Sequence, residues 1–321
     1  LMTGASPEAV CAVLEGLGVD AIGLNCSFGP KEMRPTVERL AKCSSLPLIV
    51  CPNAGLPTVS NGETVYDINE KNFAELMVDI AGLGVHVFGG CCGTTPKYME
   101  EMIKLLKGYI PKKVTDKNLS VISSYTHAVE FGTTPVIIGE RINPTGKKIF
   151  KEALRNNDID YILNVGLKQE EAGCHVLDVN VGLPEIDEVA TMKTVVKSLQ
   201  SVTDLPLQID TTNPGALECA LRLYNGKAMV NSVNGTAESM EAVFPLVKKY
   251  GGLVVALTLD ENGIPKTSHE RFNIAQKIYK TAASYGIAKK DIIVDTLAMT
   301  ISADETAATA TLDALRMVSQ S

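Results

Sequence analysis

Short unbroken apolar runs alternate along this chain with longer stretches in which apolar residues recur every three or four positions. The short runs are "AIGLNC" (21–26), "PLIVCP" (47–52), "VHVFGG" (85–90), "VIIGERI" (136–142), "HVLDVN" (175–180), "PLQIDT" (206–211), "AMVNSV" (228–233), "GLVVALTL" (252–259) and "DIIVDT" (291–296). Apolar runs of that length without polar alternation predict strands buried on both faces. Between them "PEAVCAVLEGLG", "EKNFAELMVDIAGLG", "EVATMKTVVKSLQ", "MEAVFPLVKKYG" and "ERFNIAQKIYKTAASYG" read as helices, several closing on a glycine suited to a left-handed cap. The last residues, "ADETAATATLDALRMVSQS", continue as a helix. Strand and helix in strict alternation predict an α/β protein with parallel sheets covered by helices.

The rhythm lapses once. From Lys107 to Pro135, "KGYIPKKVTDKNLSVISSYTHAVEFGTTP" mixes polar and apolar residues and carries a basic cluster around Pro111. It reads as an interdomain linker with some local structure, with three strand–helix units before it and six after. The opening at Leu1 and the close at Ser321 inside a helical pattern are those expected of a piece of a longer protein.

In parallel α/β proteins the ligand side is built at the C-terminal ends of the strands. Polar residues recur there: Asn25 and Cys26, Cys91 and Cys92, Glu140 and Asn143, Asp178 and Asn180, Asp210, Asn231 and Asn234, and Asp295. For any single one, capping the next helix is an equally good account. A set that repeats strand after strand points instead to a shared ligand-binding rim.

Composition narrows the chemistry. With 45% hydrophobic and 21% charged residues in 321, the chain has the make-up of a globular protein with a large core or two smaller ones. A net charge of −7 and the lack of a Lys/Arg stripe argue against a nucleic-acid partner. No apolar run approaches the roughly 20 residues that span a bilayer, and no secretory leader pattern opens the chain, so no membrane partner and a cytoplasmic location are expected.

The eight cysteines, Cys11, Cys26, Cys43, Cys51, Cys91, Cys92, Cys174 and Cys219, are too sparse for a disulfide framework. Metal binding and plain burial both stay open for them; Cys11, Cys43, Cys51, Cys174 and Cys219 are read as small buried hydrophobes. Cys26 ends one strand and Cys91 and Cys92 end another. If both strands belong to one barrel, three sulfurs converge on its mouth, a donor set suited to zinc with one coordination position left for a thiol substrate. In "VFGGCCGTTP" (87–96) the glycines allow close backbone approach, and Thr95 and Pro96 fit an N-cap and first helical position.

The segments "GVDAIGLNCSFGP" (18–30) and "FGGCCGTTP" (88–96) resemble the zinc-binding signature of the homocysteine methyltransferase family. That resemblance implies a (βα)8 barrel in which Cys26, Cys91 and Cys92 hold a zinc ion that activates homocysteine as a thiolate. The strands from "VIIGERINPTGKK" to "IIVDTLAMTI" are similar to the pterin-binding barrel shared by folate-linked methyltransferases and dihydropteroate synthase. There the resemblance places Glu140, Asn143, Asp178, Asn180, Asp210, Asn231 and Asp295 at ligand-facing positions, with Asp210, Asn231 and Asp295 as the strongest catalytic candidates. Lys147 and Lys148 either meet the carboxylates of a folate tail or remain solvated.

The two halves in one chain resemble the cobalamin-dependent methionine synthase family. The fold implied is two consecutive (βα)8 TIM-type barrels, both incomplete: the last three units of the first and the first six of the second. Residues 1–107 would be the C-terminal part of a zinc- and homocysteine-binding barrel, 108–134 a linker, and 135–321 a truncated pterin-binding barrel. The implied reaction carries a methyl group from 5-methyltetrahydrofolate to homocysteine through cobalamin on a module absent from this chain, in cis or in trans. The piece alone is expected to be inactive and to expose sheet edges. Dihydropteroate synthase-like chemistry, another corrinoid-linked methyl transfer, and an inactive truncated binding fragment are the alternatives.

Overall fold

The computed structural model describes residues 4–60, 62–299 and 307–321. In chain order it holds α1 (Pro7–Gly16), β1 (Ile22–Asn25), α2 (Pro30–Cys43), β2 (Leu48–Cys51), β3 (Pro57–Ser60), β4 (Glu63–Tyr66), α3 (Glu70–Gly82), β5 (Val87–Phe88) and α4 (Pro96–Leu105). A hairpin of β6 (Ser120–Ser123) and β7 (Ala128–Phe131) follows. Then come β8 (Ile138–Ile142), α5 (Lys148–Arg155), α6 (Ile159–Glu171), β9 (Val176–Val179), α7 (Glu188–Leu199), β10 (Leu207–Asp210) and α8 (Pro214–Leu223). The chain closes with β11 (Met229–Val233), α9 (Ala237–Tyr250), β12 (Leu253–Leu257), α10 (Ser268–Ser284), β13 (Ile292–Asp295) and α11 (Ala307–Ser319). Of the closing helix read from the sequence, residues 303–306 lie outside the described residues.

Two compact units result: one is Gly18–Asn118, and the other joins Leu119–Ser321 with the segment up to Leu17. In the first, β1, β2 and β5 form a parallel sheet in that order. In the second, β8 to β13 lie side by side in sequence order, each neighbouring pair parallel. Strands laid down in succession with helices between them are the construction of a (βα) barrel wall, and β8 and β13 form the two edges of this one. All nine strands read from the sequence are present. Among the described residues no helix is long and apolar enough to cross a membrane.

Helix starts follow from side-chain chemistry. Ser6, Asn69, Asp158, Asp187, Asn213, Thr236 and Thr267 each accept a hydrogen bond from a backbone N–H of the first turn, and Thr267 completes a capping box with Glu270. Thr95 occupies the N-cap position before Pro96, without a side-chain capping bond.

The six-stranded sheet has two differently filled faces. On one, Leu177, Val179, Leu207, Ile209, Val230, Val254, Ala256 and Ile292 join the helices in a single large core. On the other, Val176, Met229, Leu253 and Val255 pack with Ile122 of β6, flanked by Val129 and Phe131 of β7. The stretch read as a linker with some local structure therefore contributes a hairpin that covers the inner face of this sheet. Its backbone is tied to the sheet's N-terminal side: Ser123 N donates to the carbonyl of Lys227 at 3.0 Å, Tyr224 Oη to the carbonyl of Ser123 at 2.9 Å, and Ser120 Oγ to the carbonyl of Lys290 at 2.6 Å. Lys227, 3% exposed, is paired with Asp291 on the same side. The hairpin thus closes the inner face on its N-terminal side.

Candidate functional site

In the first unit the thiols come from the two outer strands of the sheet, and the strand between them acts as the template. Cys26 N donates to the carbonyl of Cys51 at 3.0 Å, and Cys91 N to the carbonyl of Pro52 at 2.8 Å. Cys92 N donates to Asn53 Oδ1 at 3.1 Å, and Ala54 N to the carbonyl of Cys92 at 2.9 Å. Four consecutive residues, Cys51 at the end of β2 and the three that follow it, thus hold both thiol loops by their polar groups. Cys26 and Ser27 take left-handed backbone angles, φ 65° and 69°, which turn the chain sharply off the end of β1. Thr94 Oγ1 closes the second loop on the carbonyl of Cys91 at 2.7 Å.

The sulfurs meet. Cys26 Sγ lies 3.6 Å from Cys92 Sγ, Cys91 Sγ lies 3.9 Å from Cys92 Sγ, and all three fall within 4.8 Å of one another. Three sulfurs at Zn–S distances of about 2.3 Å around a tetrahedral ion stand about 3.8 Å apart, so the donor set fits zinc by chemistry and by spacing. The backbone N–H of Ser27 draws the Cys26 thiol down, whereas the hydrogen bond to Cys26, helped by burial, pushes Cys91 up to about 11. None of the eight cysteines forms a disulfide.

Two neighbours of the thiols escaped the sequence reading. Asn53 is 4% exposed, and its side chain faces Cys26 as well as bonding Cys92 N. The signal available was an amide just past the end of a strand. Tyr66 of β4 stands beside Cys92 with its hydroxyl pushed up by burial and by the neighbouring thiols. Its ring occupies the space in which a Cβ at Gly93 (φ 80°) would sit, which makes that position glycine's.

In the second unit the period of two along a strand decides which side chains face the open inner side. Val176 and Met229 belong to the inner apolar layer, and two residues further on stand Asp178 and Asn231. Across the ladder Asp178 pairs with Gln208, and Asp210 with Asn231. By the same alternation Ile138 leads to Glu140 and Ile293 to Asp295. Polar groups therefore form a layer at the strand ends directly above the apolar layer that the hairpin covers.

Four of the expected residues are brought together. Asn180 Nδ2 donates to Asp210 Oδ2 at 2.9 Å, Gln208 Nε2 donates to Asp178 Oδ1, and Asp178 also faces Asn231 and Asp210. Burial, and then the charge of Asp210, pushes the Asp178 carboxyl up to about 7. Burial also raises Asp210, against the bond from Asn180. Glu140 is near enough to act electrostatically on Asp178, but its carboxylate pairs with Lys147 at 3.1 Å. Lys147 is thus engaged by Glu140, while Lys148 is exposed at the start of α5. Asn143 and Asp295 stand at the edge strands and brace their own turns: Thr145 N donates to Asn143 Oδ1 at 2.8 Å and Leu297 N to Asp295 Oδ1 at 2.7 Å. None of the seven is an N-cap residue, so helix capping does not explain them. Gln208 was missed, because within "PLQID" it reads as one polar residue inside a strand.

Comparison with known proteins follows the same division. A homocysteine S-methyltransferase family model matches residues 1–106, and a pterin binding enzyme family model matches residues 139–320. The chain belongs to the pterin binding enzyme family. Methionine synthase of Mycobacterium leprae (strain TN) is 34% identical over 316 residues, covering 94% of this chain and 26% of that protein. Methionine synthase of Mycobacterium tuberculosis (strain ATCC 25618 / H37Rv) is 34% identical over 311 residues, again 94% and 26%. The chain therefore spans 26% of the length of these curated relatives. Among solved structures, dihydropteroate synthase from Stenotrophomonas maltophilia is 19% identical, covering 62% of this chain and 74% of that one with a TM-score of 0.47.

Proposed function

We propose that this chain carries the homocysteine-activating site and the pterin site of a methyltransferase that converts 5-methyltetrahydrofolate and homocysteine to tetrahydrofolate and methionine. The observation that carries the reading is the cysteine trio, whose 3.6 and 3.9 Å sulfur separations suit one tetrahedral ion. Two family matches in one chain and two methionine synthases at 34% identity support it.

In this reading Cys26, Cys91 and Cys92 hold zinc, which as a Lewis acid keeps a bound substrate thiol deprotonated near neutral pH. The loop after β2 sets the spacing of the sulfurs, and Tyr66 shields one side of them. In the second unit Asp178, Asn180, Asp210 and Asn231 offer acceptors and amide groups at the strand ends to the donor edge of a pterin ring, and Glu140, Asn143 and Asp295 extend that rim. A tertiary amine leaves poorly unless protonated. Asp178, which keeps its proton up to about 7, holds an exchangeable proton among these groups.

The reading assigns residues 1–107 to the thiol-activating domain, 108–134 to the connection and 135–321 to the pterin domain, in a cytoplasmic protein. It requires cobalamin on a further module, in cis or in trans, as methyl carrier, so this chain by itself binds substrates without completing the transfer. The decisive test is elemental analysis of the purified chain beside Cys26→Ala, Cys91→Ala and Cys92→Ala. About one zinc per chain is expected, lost in each variant. Folded wild-type protein without zinc after exposure to the ion overturns the reading.

A further inference from the structure

Arg271 lies on α10 and is only 2% exposed. Burying a guanidinium is costly unless its donors are all met, and its ordinary partner is a carboxylate. Among the described residues its hydrogen bonds go to neutral oxygens. Arg271 Nε donates to the carbonyl of Pro265 at 2.9 Å. Arg271 Nη1 donates to the carbonyls of Thr296 and Leu297 at 2.8 and 2.9 Å and reaches Thr311 Oγ1 at 2.8 Å. Thr311, on α11, itself reaches the carbonyl of Leu297 at 3.1 Å.

These bonds converge on the two residues that follow Asp295. Leu297 has φ 58°, a left-handed conformation that a side chain of its kind adopts only under constraint. Its N–H, in that conformation, donates to Asp295 Oδ1 at 2.7 Å. The direction of the Asp295 carboxylate thus depends on a strained turn, and the carbonyls of that turn are gripped by one buried cation. An apolar residue fills the same volume more cheaply, and a lysine cannot reach Pro265 and the loop together from one nitrogen.

We infer that Arg271 is a positioning residue for Asp295, holding the turn after β13 so that the carboxylate faces the pterin; the inference rests on the proposed pterin-facing role of Asp295. The test uses the 321-residue chain with Arg271→Lys, Asp295→Asn and the double variant. The first arm is amide hydrogen exchange, which needs no ligand. In Arg271→Lys the Leu297 amide should exchange about tenfold faster or more while β12 keeps its protection. Unchanged exchange at Leu297 overturns the inference.

The second arm is calorimetric titration with 5-methyltetrahydrofolate. Each single variant should lose about tenfold in affinity, and the double variant should bind no worse than Asp295→Asn alone. Multiplying losses show that Arg271 acts on the fold and not through Asp295, and overturn the positioning role. If Asp295→Asn binds as the wild type does, or the wild type does not bind, the pterin-facing reading of Asp295 fails, and the exchange arm still decides the clamp. Should Arg271→Lys not fold, Thr311→Val, which removes one of the groups on the Leu297 carbonyl, should give the same pattern at about threefold.

Discussion

Asp178 is pulled two ways: burial and the facing Asp210 favour its neutral form, and the bonds from Gln208 and Asn231 favour the charged one. The first pair prevails, and the carboxyl rises from the ordinary 3.8 to about 7. The folded chain therefore binds one more proton than the unfolded chain between those values. Its contribution to stability is complete at low pH and declines as pH climbs through 7, by at most about 1.4 kcal/mol per pH unit. Asp178→Asn keeps the shape and cannot ionise, so its stability relative to wild type should improve steadily across this window. Urea denaturation at a series of pH values checks this, and a difference that stays flat excludes a protonated Asp178. At this scale the sequence showed which residue types end the strands. It did not show that Asp178 and Asp210 face each other, nor that Gln208 bonds Asp178, Asn53 the thiol loop and Arg271 the turn after Asp295, because each of those contacts joins different segments of the chain.

Between elements, α1 and α9 approach each other through a pair of glycines. Gly251 caps α9 in the left-handed region, φ 67°, and a Cβ there would lie 2.3 Å from the carbonyl carbon of Gly16 at the end of α1. Gly251→Ala combines an unfavourable backbone angle with a backbone collision that no rotamer relieves. It should cost about 2 kcal/mol or more, measurable as a lowered denaturation midpoint at unchanged slope. The glycine cap of this helix was legible as the end of "MEAVFPLVKKYG"; its contact with a segment more than two hundred residues earlier was not. The same contrast holds for strands. All nine long apolar runs are strands of the parallel sheets, whereas both hairpins, β3–β4 and β6–β7, were missed as strands. Exposed residues such as Val59 and Val65 give β3 and β4 no continuous apolar run, and β6 and β7 are four residues each, with polar residues among the apolar ones, within a stretch that reads as linker.

For the molecule as a whole, the thiol trio lies within one compact unit and the cluster of Asp178, Asn180, Asp210 and Asn231 within the other. A ligand stabilises the unit that binds it, by about 2.7 kcal/mol at a hundred times its dissociation constant. On the function proposed above, calorimetry should show a zinc chelator lowering one unfolding transition and 5-methyltetrahydrofolate raising another, neither moving both; a common shift of a single transition would contradict that independence. The sequence by itself determined the α/β class, the order of the strands and the residue types placed at their ends. Those features are set by apolar runs, helical periodicity and turn residues, all local patterns. Only the tertiary structure decided the rest: the β2 loop as template for three sulfurs, the hairpin over the inner face, the burial of Asp178 beside Asp210 and the arginine behind Asp295. Each of these depends on distances between residues far apart in the chain, and such distances exist only once both cores have packed.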